Sequence, residues 1–214
     1  MYQELKQQYE RLTQEEKDIL LLYKTKIGYL LNELHNNPDL ESYYIKLFNM
    51  FSEYSELPTD LQFFSLIRLD SLPSFRESLY EAKRLLDIVS TKMVVSDPIK
   101  VFRSISSHNG IEGISKSNII STSLEFGDTL KYAIAGDNIS IYEIEVRPGS
   151  RLAYIPECDE LVSKHKELFR VTSDEEEILL NKDIYDFETT NEYDNDSFKY
   201  IKVSATDIKN KTRI

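Results

Sequence analysis

Residues 142–150 read Tyr-Glu-Ile-Glu-Val-Arg-Pro-Gly-Ser, and this short stretch decides the fold class. Apolar side chains alternate with glutamates over its first five residues, which is the period-two pattern of a β-strand with one face in a core. The Pro148-Gly149 pair that follows is a turn signal. The C-terminal half is therefore expected to consist of short strands joined by turns.

Similar short runs lie on both sides of this strand. Further strands are predicted at 99–104, 119–123, 152–155, 175–180, 184–187 and 200–205. The polar, acidic stretch 189–197 is predicted to be a solvated loop. The chain has six glycines and no Gly-rich phosphate loop of the dinucleotide-fold kind, so a bound nucleotide would need another device.

The N-terminal half has helical periodicity instead. Apolar residues recur at helical spacing over 13–36, and Thr13 with Glu16 matches a capping box at the start of this long helix. Three more helices are predicted, one after Pro38, a shorter one after Pro58, and a fourth that Ser74 and Glu77 cap.

Helices first and strands afterwards predict an α+β fold rather than an alternating doubly wound sheet. We expect an N-terminal helical region at 1–95 packed on a mixed, mainly antiparallel β-sandwich core at 96–214. A chain of 214 residues is long enough to bury a sizeable core, so the two regions are expected to form one compact unit.

Composition excludes several classes of protein. Clustered Lys and Arg hold nucleic acids, so a formal net charge of -11 argues against that class of partner. A single cysteine, Cys158, excludes an internal disulfide and a Cys-based zinc site, and the three scattered histidines show no metal-ligand spacing. The polar start and the lack of a long apolar run predict a soluble protein without a cleaved signal peptide.

Two short segments with polar side chains come first along the strand-rich half. Residues 101–104, Val-Phe-Arg-Ser, place Arg103 in an apolar strand, where it is either a solvent-facing strand end or a guanidinium fork for phosphate. Residues 118–123, Asn-Ile-Ile-Ser-Thr-Ser, place Ser121 and Ser123 on one face of a strand and Thr122 on the other. Each segment alone is also typical of an ordinary exposed strand.

The third segment, residues 175–180, reads Glu-Glu-Glu-Ile-Leu-Leu. Strand alternation places Glu175 and Glu177 on one face, about 6 to 7 Å apart, with Glu176 on the opposite face. An acidic loop ahead of a core strand is the simpler interpretation. Two carboxylates that share a cleft serve catalysis more often than folding.

Taken in order, the three segments resemble the arginine, Ser-Thr-Ser and Glu-x-Glu signature of clostridial-type mono-ADP-ribosyltransferase toxins, over residues 98–204 and more weakly in the first helix. The resemblance implies that Arg103 grips the NAD diphosphate and that Ser121 orients Glu177. Glu177 would then stabilise the positive charge that develops on the nicotinamide ribose. Glu175 would serve the acceptor, and a glutamate at this position goes with arginine acceptors in the family.

The resemblance also assigns NAD-binding roles to Asn118, Thr122, Ser123 and Tyr132, and a role in recognising the protein substrate to Phe169. Asn118 corresponds to an asparagine near the nicotinamide ribose, and Tyr132 to a phenylalanine that packs against the nicotinamide ring. Ser104 and Ala135 depart from the pattern, since relatives have basic residues there. These departures predict a weaker or different grip on the diphosphate.

The expected function is therefore that of a toxin or effector, cytoplasmic or delivered into a target cell, that transfers ADP-ribose from NAD to an arginine of a target protein. Expected partners are NAD as donor substrate, the target protein, and an antitoxin or delivery partner; no metal is expected. Two alternatives stay open: an NAD glycohydrolase or nucleic-acid ADP-ribosyltransferase, and a catalytically inactive interaction domain that keeps the fold.

Overall fold

The computed structural model describes residues 2–33, 41–52, 59–105, 118–133, 139–170, 175–194 and 198–211. The chain divides into two compact units. The sheet unit comprises Met1–Glu10, Ser90–Pro156 and Glu175–Ile214, and the helical unit comprises Arg11–Val89 and Glu157–Asp174. This division differs from a single boundary at residue 95, because both units are assembled from segments that are distant in sequence.

Eight strands form the sheet of the sheet unit. They are β1 (Met93–Val94), β2 (Ile99–Ile105), β3 (Ile119–Ser123), β4 (Ile139–Val146), β5 (Arg151–Ile155), β6 (Glu177–Asn181), β7 (Tyr185–Asp194) and β8 (Phe198–Asp207). Their order across the sheet is β1-β5-β6-β3-β2-β4-β8-β7. The neighbours pair antiparallel, apart from the parallel pair β4 and β8. The predicted α+β class with mainly antiparallel pairing is therefore confirmed.

The junction between β2 and β3 is narrow. These strands share one register pair, Phe102 with Ser123, whereas β2 pairs with β4 over seven residues, from Ile99 to Ile105. The sheet thus consists of two well-paired halves, β1-β5-β6-β3 and β2-β4-β8-β7, that meet at this point. Arg103 and the Ser-Thr-Ser segment lie on either side of the junction.

The turn after β4 follows the sequence prediction. Gly149 has φ of 80°, a left-handed conformation that side chains disfavour, and its N–H donates to the carbonyl of Val95 at 2.7 Å. By contrast, β7 continues to Asp194, so the loop predicted at 189–197 is wrong up to that residue, and 195–197 lie outside the described part. The polar composition of 189–194 reflects the exposure of a strand at the sheet edge, not the absence of pairing.

Eight α-helices occur in the described part of the chain. They are α1 (Tyr2–Glu10), α2 (Gln14–Lys24), α3 (Ile27–Glu33), α4 (Glu41–Ser52), α5 (Leu72–Val89), α6 (Phe126–Ala133), α7 (Asp159–Lys164) and α8 (Ile208–Lys211). A 3-10 helix, Thr59–Leu66, accounts for the short helix predicted after Pro58. Helices α1, α6, α7 and α8 were not predicted from the sequence.

The long helix predicted over 13–36 is broken at Thr25. The capping box of Thr13 and Glu16 is present, but Thr25 is extended and its hydroxyl accepts from the N–H of Ile27 at 3.2 Å, which begins a new helix. Gly28 makes this break possible, because a Cβ there would lie 1.9 Å from the carbonyl oxygen of Tyr23. Residues 34–36 lie outside the described part.

The helix α5 begins earlier than predicted. It starts at Leu72, and Ser71 provides the cap, since its Oγ accepts from the N–H of Ser74 at 3.3 Å. The cap predicted at Ser74 is therefore wrong. A proline at position 73 fits the first turn, where no N–H donor is needed.

Candidate active site

The side chain of Arg103 extends from β2 to the backbone of β3. Its Nη1 donates to the carbonyl oxygen of Ser121 at 2.9 Å. On the neighbouring strand β4, its register partner is Tyr142, which is fully buried. Burial raises the pKa of the Tyr142 phenol, so this ring stays neutral beside the guanidinium. The guanidinium is therefore fixed at the junction between the two halves of the sheet.

Two serines of β3 hold two glutamates on the neighbouring segment. The Oγ of Ser121 donates to Oε2 of Glu177 at 2.7 Å, and the Oγ of Ser123 donates to Oε2 of Glu175 at 3.2 Å. We call these pairs the inner rung, Ser121–Glu177, and the outer rung, Ser123–Glu175. The prediction that Glu175 and Glu177 lie on one face agrees with this geometry.

The rungs have the same offset across the strands. The register partner of Ser121 is Leu179, so its hydroxyl reaches the residue two positions before that partner. Ser123 is opposite Glu177, and its hydroxyl likewise reaches the residue two positions before that partner, Glu175. Glu175 and Glu177 are 5% and 3% exposed, so each carboxylate is held almost out of solvent by a hydroxyl donor.

Thr122 lies on the other face of β3. Its hydroxyl donates to the carbonyl of Ile178 at 2.9 Å, and the side chain is 3% exposed. This hydroxyl therefore connects β3 to β6, and the structure does not place it with the serines and glutamates. The NAD-binding role that the family resemblance implies for Thr122 stays a prediction.

The middle glutamate is also on the opposite side from the two rungs. Glu176 accepts a hydrogen bond from the hydroxyl of Tyr154 on β5, and its Oε1 lies 2.8 Å from Nζ of Lys6 on α1. Sequence reasoning missed Lys6, because nothing in the N-terminal segment indicates that it folds against a strand far along the chain. The contact becomes visible only in the folded sheet unit, where α1 packs against β1 and β5.

Two further predicted site residues lie near β3 in sequence. Asn118 directly precedes β3, and its carbonyl accepts from the N–H of Lys182 at 2.9 Å. The backbone of Tyr132 is part of α6, but its side chain is not described. Ala135 lies outside the described residues. Their expected contacts with NAD stay predictions.

Phe169 belongs to the helical unit. It is 2% exposed, its ring centroid lies 6.2 Å from that of Phe63, and its backbone forms a bridge with Thr25. The Phe169 side chain thus packs inside the helical unit. The role in recognising the protein substrate that the family resemblance implies stays a prediction.

Across the described ranges, no group of three or more His, Cys, Asp or Glu side chains is arranged to hold a metal ion. In the same part of the chain, no helix combines the length and apolar character needed to cross a membrane.

Comparison with known proteins supports the fold. No protein-family model matches the sequence, and no curated protein matches it significantly. Vis toxin, an ADP-ribosyltransferase from Vibrio splendidus, superposes with a TM-score of 0.54 at 10% identity, over 95% of this chain and 78% of that one. The chain therefore has the fold of an ADP-ribosyltransferase toxin.

Two other toxins give weaker superpositions. Plx2a, an ADP-ribosyltransferase toxin from Paenibacillus larvae, is 17% identical over 96% of this chain and 92% of its own, with a TM-score of 0.47. BECa, an ADP-ribosylating toxin of C. perfringens solved with NADH, is 11% identical over 96% of this chain and 44% of its own, also with 0.47. The fold assignment does not depend on these two.

Proposed function

We propose that this protein is an NAD-dependent mono-ADP-ribosyltransferase that transfers ADP-ribose to an arginine of a target protein. The observation that carries the proposal is the pair of rungs, because two serines of β3 each bind a buried carboxylate, and Arg103 binds the carbonyl of one of these serines, Ser121. Donor cleavage and acceptor activation each need one carboxylate. The toxin-like fold of the chain supports the same assignment.

Glu177 is the carboxylate proposed to act on NAD. When the bond between nicotinamide and the ribose carbon breaks, both bonding electrons leave with nicotinamide, which departs as a neutral ring and needs no acid. Positive charge develops on the ribose, and a buried, pre-oriented carboxylate stabilises such an oxocarbenium-like state. Ser121 donates to Glu177 and so orients it.

Arg103 is proposed to bind the NAD diphosphate. A guanidinium is planar, permanently charged and suited to bidentate contact with phosphate oxygens. Its bond to the Ser121 carbonyl places this charge beside the inner rung, so one end of the donor would be held close to Glu177. Asn118 and Tyr132 are proposed to contact the nicotinamide and its ribose.

Glu175 is the carboxylate proposed to act on the acceptor. A charged guanidinium is a poor nucleophile, because its side-chain pKa lies above about 12. A carboxylate two residues before Glu177 can align the acceptor arginine and accept its proton as the new bond forms between nitrogen and the ribose carbon. The products are ADP-ribosyl-arginine, nicotinamide and a proton.

The test measures both half-reactions on one preparation. The purified protein is incubated with labelled NAD and agmatine, a small guanidino compound, and nicotinamide release and labelled agmatine are quantified. Label on agmatine that depends on Glu177 supports the proposal, with Glu177→Gln as the matched inactive control. Nicotinamide release without any labelled guanidino product would instead indicate an NAD glycohydrolase, and absence of both products would indicate an interaction domain.

A second assay identifies the acceptor. Labelled NAD is added with the protein to a cell lysate, and labelled bands are treated with hydroxylamine, which cleaves arginine-linked ADP-ribose. Loss of label supports an arginine acceptor. Label that resists this treatment, or that is found on nucleic acid, would contradict the arginine assignment.

A further inference from the structure

The outer rung lacks the strand support that the inner rung has. Glu177 is the first residue of β6, and it has register partners on both sides, Ser123 on β3 and Ile155 on β5. Glu175 and Glu176 precede the strand, so the β6 ladder does not fix their backbone. The position of Glu175 must therefore depend on contacts made outside the ladder.

Glu176 supplies such a contact. Its carboxylate accepts from the hydroxyl of Tyr154 and pairs with the ammonium of Lys6 at 2.8 Å. Tyr154 is fully buried, and it is itself fixed by its register pairing with Ile178. A residue directly between Glu175 and Glu177 is thus held on the face opposite the two rungs.

The helix α1 that carries Lys6 is held against the sheet edge by polar contacts. The amide of Gln8 imitates a neighbouring strand, because Nε2 donates to the carbonyl of Val94 at 2.8 Å and Oε1 accepts from its N–H at 2.9 Å. Leu5 is 1% exposed, and the ring of Tyr9 meets that of Tyr154 edge-on, with centroids 6.3 Å apart. Lys6 is therefore presented from a well-fixed helix.

From these contacts we infer that Lys6 and Tyr154 are positioning residues that act through Glu176 to orient Glu175. The N-terminal helix α1 would then set how much of the activated ADP-ribose is transferred to an acceptor and how much is lost to water. This inference rests on the proposed transferase function. Neither residue is assigned contact with the donor or the acceptor.

The effect is expected to fall on transfer rather than on donor cleavage. If Glu176 is released, the backbone of Glu175 gains freedom, whereas Glu177 is still held by two strands and by Ser121. A misplacement of about 1 Å at a reacting group can cost roughly a hundredfold in rate. A small displacement of Glu175 is therefore sufficient to change how ADP-ribose is divided between the acceptor and water.

The experiment compares Lys6→Ala and Tyr154→Phe with the control Gln7→Ala, an exposed position on the same helix. Transfer to agmatine and nicotinamide release without acceptor are measured in parallel, with kcat and the KM for NAD. We expect transfer to fall roughly tenfold in Tyr154→Phe and about threefold in Lys6→Ala, because Lys6 is largely exposed and its ion pair is screened by solvent. Nicotinamide release and the KM for NAD should stay within twofold.

Two further variants separate positioning from general loss of structure. Lys6→Arg keeps the charge and should restore most of the transfer, and Glu176→Gln should behave like Tyr154→Phe. Melting temperatures monitor the fold. Parallel loss of transfer and nicotinamide release in these variants, or no change in the ratio of the two activities, would overturn the inference while leaving the proposed function in place. A wild-type protein without either activity would instead contradict the proposed function, and the inference with it.

Discussion

The inner and outer rungs use the same chemistry on different backbone support. Both join a serine of β3 to a glutamate with the same diagonal offset, and both carboxylates are nearly buried. The inner glutamate belongs to the ladder of β6, whereas the outer one precedes it. Equal side-chain contacts therefore do not imply equal rigidity, and the less supported carboxylate is the one proposed to meet a variable protein acceptor.

The largest effect is expected from the inner rung. Glu177→Gln keeps the size of the side chain but removes the charge that stabilises the ribose cation, so transfer and nicotinamide release should both fall by about a thousandfold. Steady-state assays of both products, with circular dichroism as the control for folding, measure this. Retention of either activity would remove Glu177 from the centre of the mechanism.

The outer rung should separate the two activities. Glu175→Gln removes the proposed proton acceptor for the acceptor arginine, so transfer to agmatine should fall on the order of a hundredfold. Nicotinamide release should change by no more than a few-fold, since Glu177 and Ser121 are unaltered. Equal loss of both activities would show that the two carboxylates do not have separate roles.

The serines should repeat this difference on a smaller scale. Ser121→Ala removes the donor to Glu177 and should lower both activities by about tenfold, which corresponds to the free energy of one charge-assisted hydrogen bond. Ser123→Ala should lower transfer by a few-fold and leave nicotinamide release unchanged. The opposite pattern would place Ser123 on the donor, in the NAD-binding role that the family resemblance implies.

A carboxylate outside both rungs provides the smallest expected change in activity. Asp207 is 1% exposed and binds the Nε of Arg151 at 2.7 Å, so Asp207→Asn should destabilise the fold by about 3 kcal/mol without changing the ratio of transfer to nicotinamide release. Thermal unfolding and the two product assays, run well below the melting temperature, check this. A changed ratio would extend the site beyond the rungs.

The same ion pair predicts the direction of acid denaturation. Burial acts to raise the pKa of Asp207, but hydrogen bonds from the Arg151 guanidinium and from the N–H groups of Lys209 and Arg151 outweigh burial and lower it. A lowered pKa in the folded state contributes stability above the unfolded value of about 3.9 and loses it as the pH falls through the folded value. As the pH falls from 6 to 2, the free energy of unfolding of the wild type should therefore lose a contribution from Asp207 that the Asp207→Asn variant does not have.

Much of the candidate site could be predicted from local patterns. Period-two alternation located β3, β4 and β6. The same alternation placed both serines on one face of β3, and Glu175 and Glu177 on one face of their segment. The capping box of Thr13 and Glu16 was also predicted correctly. These features depend on residues that are neighbours along the chain, so the sequence carries them directly.

Other features were beyond local patterns because tertiary contacts decide them. The hydrophobic period continues through Thr25, yet the helix ends there and Thr25 forms a backbone bridge with Phe169, whose aromatic ring is buried. The polar stretch after Thr189 lacks the alternation of a strand, yet it is part of strand β7 because it pairs with β8.

The sequence by itself determined the α+β class, the three polar segments and the faces on which their side chains lie, because strand and helix periods are local properties. Only the tertiary structure decided that β3 and β6 pair with the offset that forms two rungs. It also decided that the N-terminal helix reaches Glu176 through Lys6. Both features bring together residues far apart in the chain, and the register and burial that select them arise only when the whole sheet unit has folded.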